Sequence, residues 1–319
     1  MDKHMEKKIF ERAKNFIYQN ARPLDLARWQ FHFENGTKES VLNALASYQN
    51  EDGGFGHGLE ADCLNPYSSP IQTWAATCII RELGGLDKDH PIIKSILDYL
   101  EHTKDFDGTC WANTIQSNNE YPHALWWQYP HPPWWKGESL QGNFIDQYNP
   151  SAELAGFVLL YGEENSNLYD KAVTIAKKGI KDLVTIENPG DMHVISNFIA
   201  LYGYICEAKK ENAFDTVTLL EMLRRLTYES ITQDTSIWNK NYICKPSQFF
   251  NTKVSPFYEQ NAEIAQYECK YIAESQLEDG SYSVPWKWDG YPDVWPICKN
   301  WWKGHSIITN MLYLKGMAD

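Results

Sequence analysis

Apolar side chains recur along this chain with the period of an α-helix. In "HPIIKSILDYLEH", Ile92, Ile93, Ile96, Leu97 and Leu100 fall on one face, and Pro91 suits a first helical turn. Comparable patterns cover residues 4–19, 38–49, 70–83, 150–161, 167–184, 192–208, 213–228, 258–276 and 304–316. Nowhere does strict alternation of apolar and polar residues persist as a strand requires. The pattern predicts an all-α protein of about ten to twelve helices joined by short Gly- and Pro-containing turns. Residues 104–149 break the rule. They hold no helical pattern but carry "EYPHALWWQYPHPPWWKG". So long a connection inside a compact domain is either functional or disordered, and its aromatic content argues against disorder, so a folded cap is expected.

The helix ends repeat. Residues 49–55 read Gln-Asn-Glu-Asp-Gly-Gly-Phe and residues 276–282 read Gln-Leu-Glu-Asp-Gly-Ser-Tyr, each after a predicted helix. Asp107-Gly108, with Trp111 close behind, is a weaker copy. Recurring helix ends imply stacked helical hairpins that bury their apolar faces together. Glycine ends a helix in the left-handed conformation, the aromatic plugs the joint, and the glutamine amide meets open backbone groups.

Gln-x-x-x-Gly-x-aromatic after a helix resembles the QW repeat of terpenoid cyclases and protein prenyltransferase β-subunits. Gln49, Gly53 and Phe55 form one copy, and Gln276, Gly280 and Tyr282 the other. Phe and Tyr stand where the family has Trp. The resemblance implies a single (α/α)₆ toroid over residues 1–319, with the aromatic connection capping one end and a cavity at the centre. It is similar in this respect to uncharacterised bacterial proteins of the toroid type. The family's Asp-x-Asp-Asp acid motif is absent. The nearest string, "DKDH" at 87–90, suits a helix N-terminus. The magnesium-binding Asp-Asp-x-x-Asp motif is absent too. Asp293, Cys298 and His305 repeat the residue types of the prenyltransferase zinc site, but their spacing differs, so no metal ligand is assigned.

Candidate chemistry lies between the repeats. In "GHGLEADCLNP", Glu60 and Asp62 are one residue apart, which in extended chain puts both side chains on one side. Two close carboxylates resist joint ionisation, so one keeps a proton and can act as a general acid. The alternative is structural: turn amides bound by Asp62 and a surface cation paired with Glu60. Both are expected on a solvent-reachable loop. His57, between glycines, is a candidate base at a place where backbone approaches a ligand closely. His57, Glu60, Asp62 and Cys63 offer donors for a divalent metal without a zinc spacing, so no cofactor is expected. Trp126, Trp127, Trp134, Trp135, Trp286 and Trp288, with Asp293, are candidate substrate contacts, because indole faces stack on sugar rings and stabilise carbocations. Packing between loops is the competing explanation. Asp146 and Asp289 are further loop acids. Glycoside hydrolysis needs two carboxylates about 5 to 9 Å apart.

Composition narrows the partners. A formal net charge of −13 excludes a nucleic-acid surface. Seven scattered cysteines without a Cys-x-x-Cys pair read as reduced thiols, and with the charged N-terminus they lead to an expected cytoplasmic location. No apolar run is long enough to span a membrane. Three function classes remain. One is an enzyme using acid/base chemistry on a substrate, isoprenoid in type, in an aromatic-lined cavity. The second is a glycoside hydrolase or polysaccharide lyase binding an oligosaccharide. The third is a non-catalytic toroid that binds a small molecule or a partner chain.

Overall fold

A computed structural model describes residues 3–131, 147–185 and 191–318. Over these residues the protein is all-α, with eleven α-helices, short 3₁₀ turns and isolated bridges, and no strand. No described helix is long and apolar enough to cross a membrane. The chain divides into two compact units: residues 1–47 with 227–319, and residues 48–226.

The second unit holds α4 (Pro70–Glu82), α5 (Pro91–His102), α6 (Tyr148–Tyr161), α7 (Asn167–Val184), α8 (Met192–Glu207) and most of α9 (Thr216–Ser230). Its centre is α6, which packs against α4, α7 and α8. All of "YNPSAELAGFVLLY" is buried except Asn149 and Leu160, so this helix has no solvent face. α5 is amphipathic: Ile92, Ile93, Ile96, Tyr99 and Leu100 are buried, each contributing up to about 1.5–3 kcal/mol. Side-chain caps start the helices where sequence chemistry calls for them. Ser69, Ser166 and Asp191 accept from Gln72 N, Tyr169 N and His193 N at the heads of α4, α7 and α8.

The first unit holds α1 (Lys3–Asn20), α2 (Pro23–Phe33), α3 (Lys38–Ala46), α10 (Ala262–Ser275) and α11 (Trp295–Ala318). α1 packs on α2, α10 and α11, and α2 also meets α3 and α11. Periodicity misses α2 and begins α11 nine residues late, at 304 instead of Trp295. In α2 the cause is plain. Asp25 and Arg28 lie on its buried side, where an apolar stripe would be looked for.

Both copies of the helix-end repeat adopt one geometry. Gln49 Nε2 donates to Gly53 O and Gln276 Nε2 to Gly280 O, each at 3.0 Å. Gly53 has φ +85° and Gly280 φ +88°, and a Cβ at either would lie 2.2 or 2.1 Å from a helix carbonyl, Ser95 O or Arg12 O. Only glycine allows that approach. Phe55 and Tyr282 are buried as the plugs. At Asp107 the turn keeps its acid, which accepts from Thr109 N and Cys110 N, but Gly108 faces open space.

Candidate functional site

The site is built on the first turn of α6. Asn149 precedes Pro150, which disfavours helical backbone before it and supplies no N–H. Asn149 accordingly has φ −101° and ψ 104°, a kink inside the helix. Tyr148 OH donates to Asp182 Oδ2 on α7 at 2.6 Å and pins the turn. Three amides gather around the kink. Asn113 Nδ2 donates to Asn149 O at 2.6 Å, and Asn197 Nδ2, on α8, to Asn149 Oδ1 at 3.2 Å. Asn113 Oδ1 lies 3.1 Å from His131 Nε2. Next to Asn113 in sequence, Thr114 Oγ1 donates to Trp127 O at 2.8 Å.

Glu153 lies four residues after Asn149, in the regular helix beyond the kink. It is the only charged side chain of that helix and is 5% exposed. Two groups a turn apart on α4 hold its carboxyl: Trp74 Nε1 donates to Oε2 at 2.5 Å and Cys78 Sγ to Oε1 at 3.6 Å. Burial raises the Glu153 pKa above the usual carboxylate value, against the opposing pull of the Trp74 hydrogen bond, Arg81 and Cys78. Arg81, one turn beyond Cys78, lies over the Tyr204 ring at 4.0 Å and pairs with Glu207 at 2.8 Å. Burial and the neighbouring Glu153 raise the Cys78 thiol well above its usual value, so it is a hydrogen-bond donor here and no nucleophile.

The acids between the repeats are elsewhere in the same unit, and they are interior. Glu60 is 9% exposed and Asp62 3%, in place of the solvent-reachable loop expected for them. The reason is a dense set of loop hydrogen bonds. Gln72, in the first turn of α4, accepts from Glu60 N at 2.7 Å and donates to Cys63 O at 2.8 Å. Glu60 Oε2 accepts from Asp62 N at 3.0 Å. The front of the long connection then lies along this loop: Ala124 N donates to Asp62 O at 2.8 Å and Leu64 N to Pro122 O at 2.9 Å. Asn65 Nδ2 reaches Ser117 Oγ and Asn118 Oδ1, both at 2.9 Å. His57 is exposed, with left-handed backbone at φ 59° and its Nε2 2.8 Å from Asn50 Oδ1.

The aromatic candidates divide between the units. Trp126 is half-buried and Trp127 buried, in the second unit beside Thr114 and Asn118. In the first unit, Trp286 packs edge-on to Trp302 and Tyr242, and Trp288 is buried against Trp295. Asp293 is exposed there. Trp134, Trp135 and Asp146 lie outside the described residues.

The residue types of the zinc comparison are engaged differently: Cys298 is buried and His305 Nδ1 lies 3.3 Å from Arg28 Nη1. Among the described residues no three His, Cys, Asp or Glu side chains are placed to hold a metal ion. Glu153, Asn113, Asn149 and Asn197 form no cluster in the sequence. Glu153 does leave a mark in the sequence, as a lone acid in an apolar run. Comparison of the chain with protein-family models, with curated proteins and with solved structures finds no match.

Proposed function

We propose that the protein is an acid/base enzyme of the terpenoid-cyclase-like (α/α)₆ toroid type, with Glu153 as its proton donor. The supporting observation is a carboxyl buried in a helix with no solvent face, gripped by Trp74, and holding its proton to higher pH than an exposed glutamate. A general acid needs that: a pKa moved toward the operating pH in a site shielded from water. The matching Gln–Gly joints at 49–55 and 276–282 support the toroid reading. Glu60 and Asp62 then shape the loop beside α4, because the Glu60 carboxylate is already spent on the Asp62 amide.

The test begins with a thermal-shift screen against farnesyl and geranylgeranyl diphosphate and against neutral oligosaccharides. A ligand at about 100 times its Kd stabilises the fold by roughly 2.7 kcal/mol. Each stabilising ligand is then incubated with wild-type protein and with Glu153→Gln. Loss of turnover by about 100-fold or more, with binding retained, is the expected result. Wild-type turnover should also fall as pH rises through the Glu153 pKa, since the donor loses its proton. Turnover preserved in Glu153→Gln would overturn the proposal.

A further inference from the structure

Buried side-chain atoms of the second unit with no hydrogen-bond partner among the described residues include Asn197 Oδ1 and Trp127 Nε1, as well as Arg81 Nη1 and Tyr99 OH. Asn197 is 1% exposed and Trp127 9%. Buried polar groups in folded proteins are almost always satisfied, so an orphaned acceptor and an orphaned donor call for a partner. They are linked to the same site. Asn197 binds Asn149, Asn149 binds Asn113, and the neighbouring Thr114 holds the Trp127 carbonyl.

We infer that the α6 site takes a neutral, hydroxyl-rich ligand, a sugar ring or a short oligosaccharide. The inference rests on the proposed acid role of Glu153 and supplies the substrate class for it. A hydroxyl donates and accepts, so the hydroxyls of a sugar or short oligosaccharide suit both Asn197 Oδ1 as acceptor and Trp127 Nε1 as donor. The other groups at the site are amides, with an imidazole at His131, and they suit the same chemistry. A diphosphate needs several uncommitted cations. Arg81, the cation acting on Glu153, is paired with Glu207 through Nη2 and stacked on Tyr204, so it has Nη1 alone to offer, and Lys178 is paired with Asp182 at 2.6 Å. The chain's charge of −13 also disfavours an anionic ligand.

The experiment is calorimetric titration of the full chain with cellohexaose, maltohexaose and xylohexaose, and with farnesyl diphosphate. Wild-type protein, Trp127→Phe and Asn197→Ala are compared, with the thermal midpoint of each recorded. Trp127→Phe removes a donor that has no partner in the free protein and keeps an aromatic ring. It should therefore fold with a midpoint near wild type while binding a hexaose about five- to tenfold more weakly, the worth of one hydrogen bond. Asn197→Ala should weaken the same sugar similarly, at a greater cost in midpoint because two amide bonds are lost. Hexaose affinity equal to wild type in a folded Trp127→Phe overturns the inference, as does binding of farnesyl diphosphate with no binding of any hexaose. Either result leaves Glu153 to its own turnover and pH tests.

Discussion

Asp25 and Glu153 are equally sequestered carboxyls with opposite fates. Asp25, in the first unit, accepts from Arg22 Nε at 2.8 Å and from Arg28 Nη1 at 2.9 Å. Burial works against its charge, but the two guanidiniums outweigh it and hold the pKa below the usual carboxylate value. Glu153 has an indole and a thiol in their place, and burial wins. A third case refines the rule. Glu268, on α10, accepts from Ser247 N at 2.8 Å and Ser247 Oγ at 2.5 Å, yet its pKa is still raised by burial, with Lys245 pulling the other way. Burial sets the direction, and paired guanidiniums are needed to reverse it. Asp25 is thus a structural anion, whereas Glu153 is a reservoir for a proton.

The largest effect should come from breaking the structural side of that pair. Asp25→Ala leaves Arg22 and Arg28 buried without their shared counter-charge and should cost about 3–5 kcal/mol in urea denaturation. A loss below about 1 kcal/mol would mean the guanidiniums are not held by Asp25. Next come the joints. Gly53→Ala and Gly280→Ala drive a Cβ into a carbonyl at positive φ, and each should cost about 2–4 kcal/mol in the same assay. Gly108→Ala meets no atom within 4 Å and carries only the φ penalty, so it should cost about 1 kcal/mol.

The pH dependence separates the two acids more finely. A lowered folded-state pKa gives Asp25 a stabilising contribution that is complete above the unfolded value near 4 and lost as pH falls through the folded one. A raised pKa does the reverse. The unfolded chain ionises Glu153 first, so stability drains as pH rises from about 4 up to its folded value. Glu153→Gln removes this drain. Relative to wild type it should gain stability between pH 4 and 7, read by thermal denaturation at each pH. A flat difference across that range would mean that Glu153 has the same pKa folded and unfolded. The smallest effects belong to the glutamines. Gln49→Ala should cost about 1 kcal/mol, and Gln276→Ala somewhat more, because Gln276 Nε2 also reaches Ile9 O at 3.0 Å.

Much of the fold was legible because most helices bury one apolar stripe, as α5 does, and because the Asp-Gly joints repeat in the sequence. What escaped has one physical origin. Periodicity assumes that charge faces water, and here Asp25, Arg28 and Glu153 face inward. α2 leaves no apolar stripe in the pattern for that reason, and the acids that stand out in the sequence are those of the loops. Glu60 and Asp62 stood out as a cluster, yet sequence spacing says nothing of the Gln72 side chain that draws their loop inside. The amide network was invisible, since Asn113, Asn149 and Asn197 meet only through the kink that Pro150 imposes.

The most direct test is a ¹³C NMR titration of glutamate-labelled protein, with the Glu153 carboxyl assigned by its absence in Glu153→Gln. This signal should deprotonate at higher pH than those of the exposed glutamates. A Glu153 carboxyl that titrates with them, or below them, would contradict the role of Glu153 as proton donor.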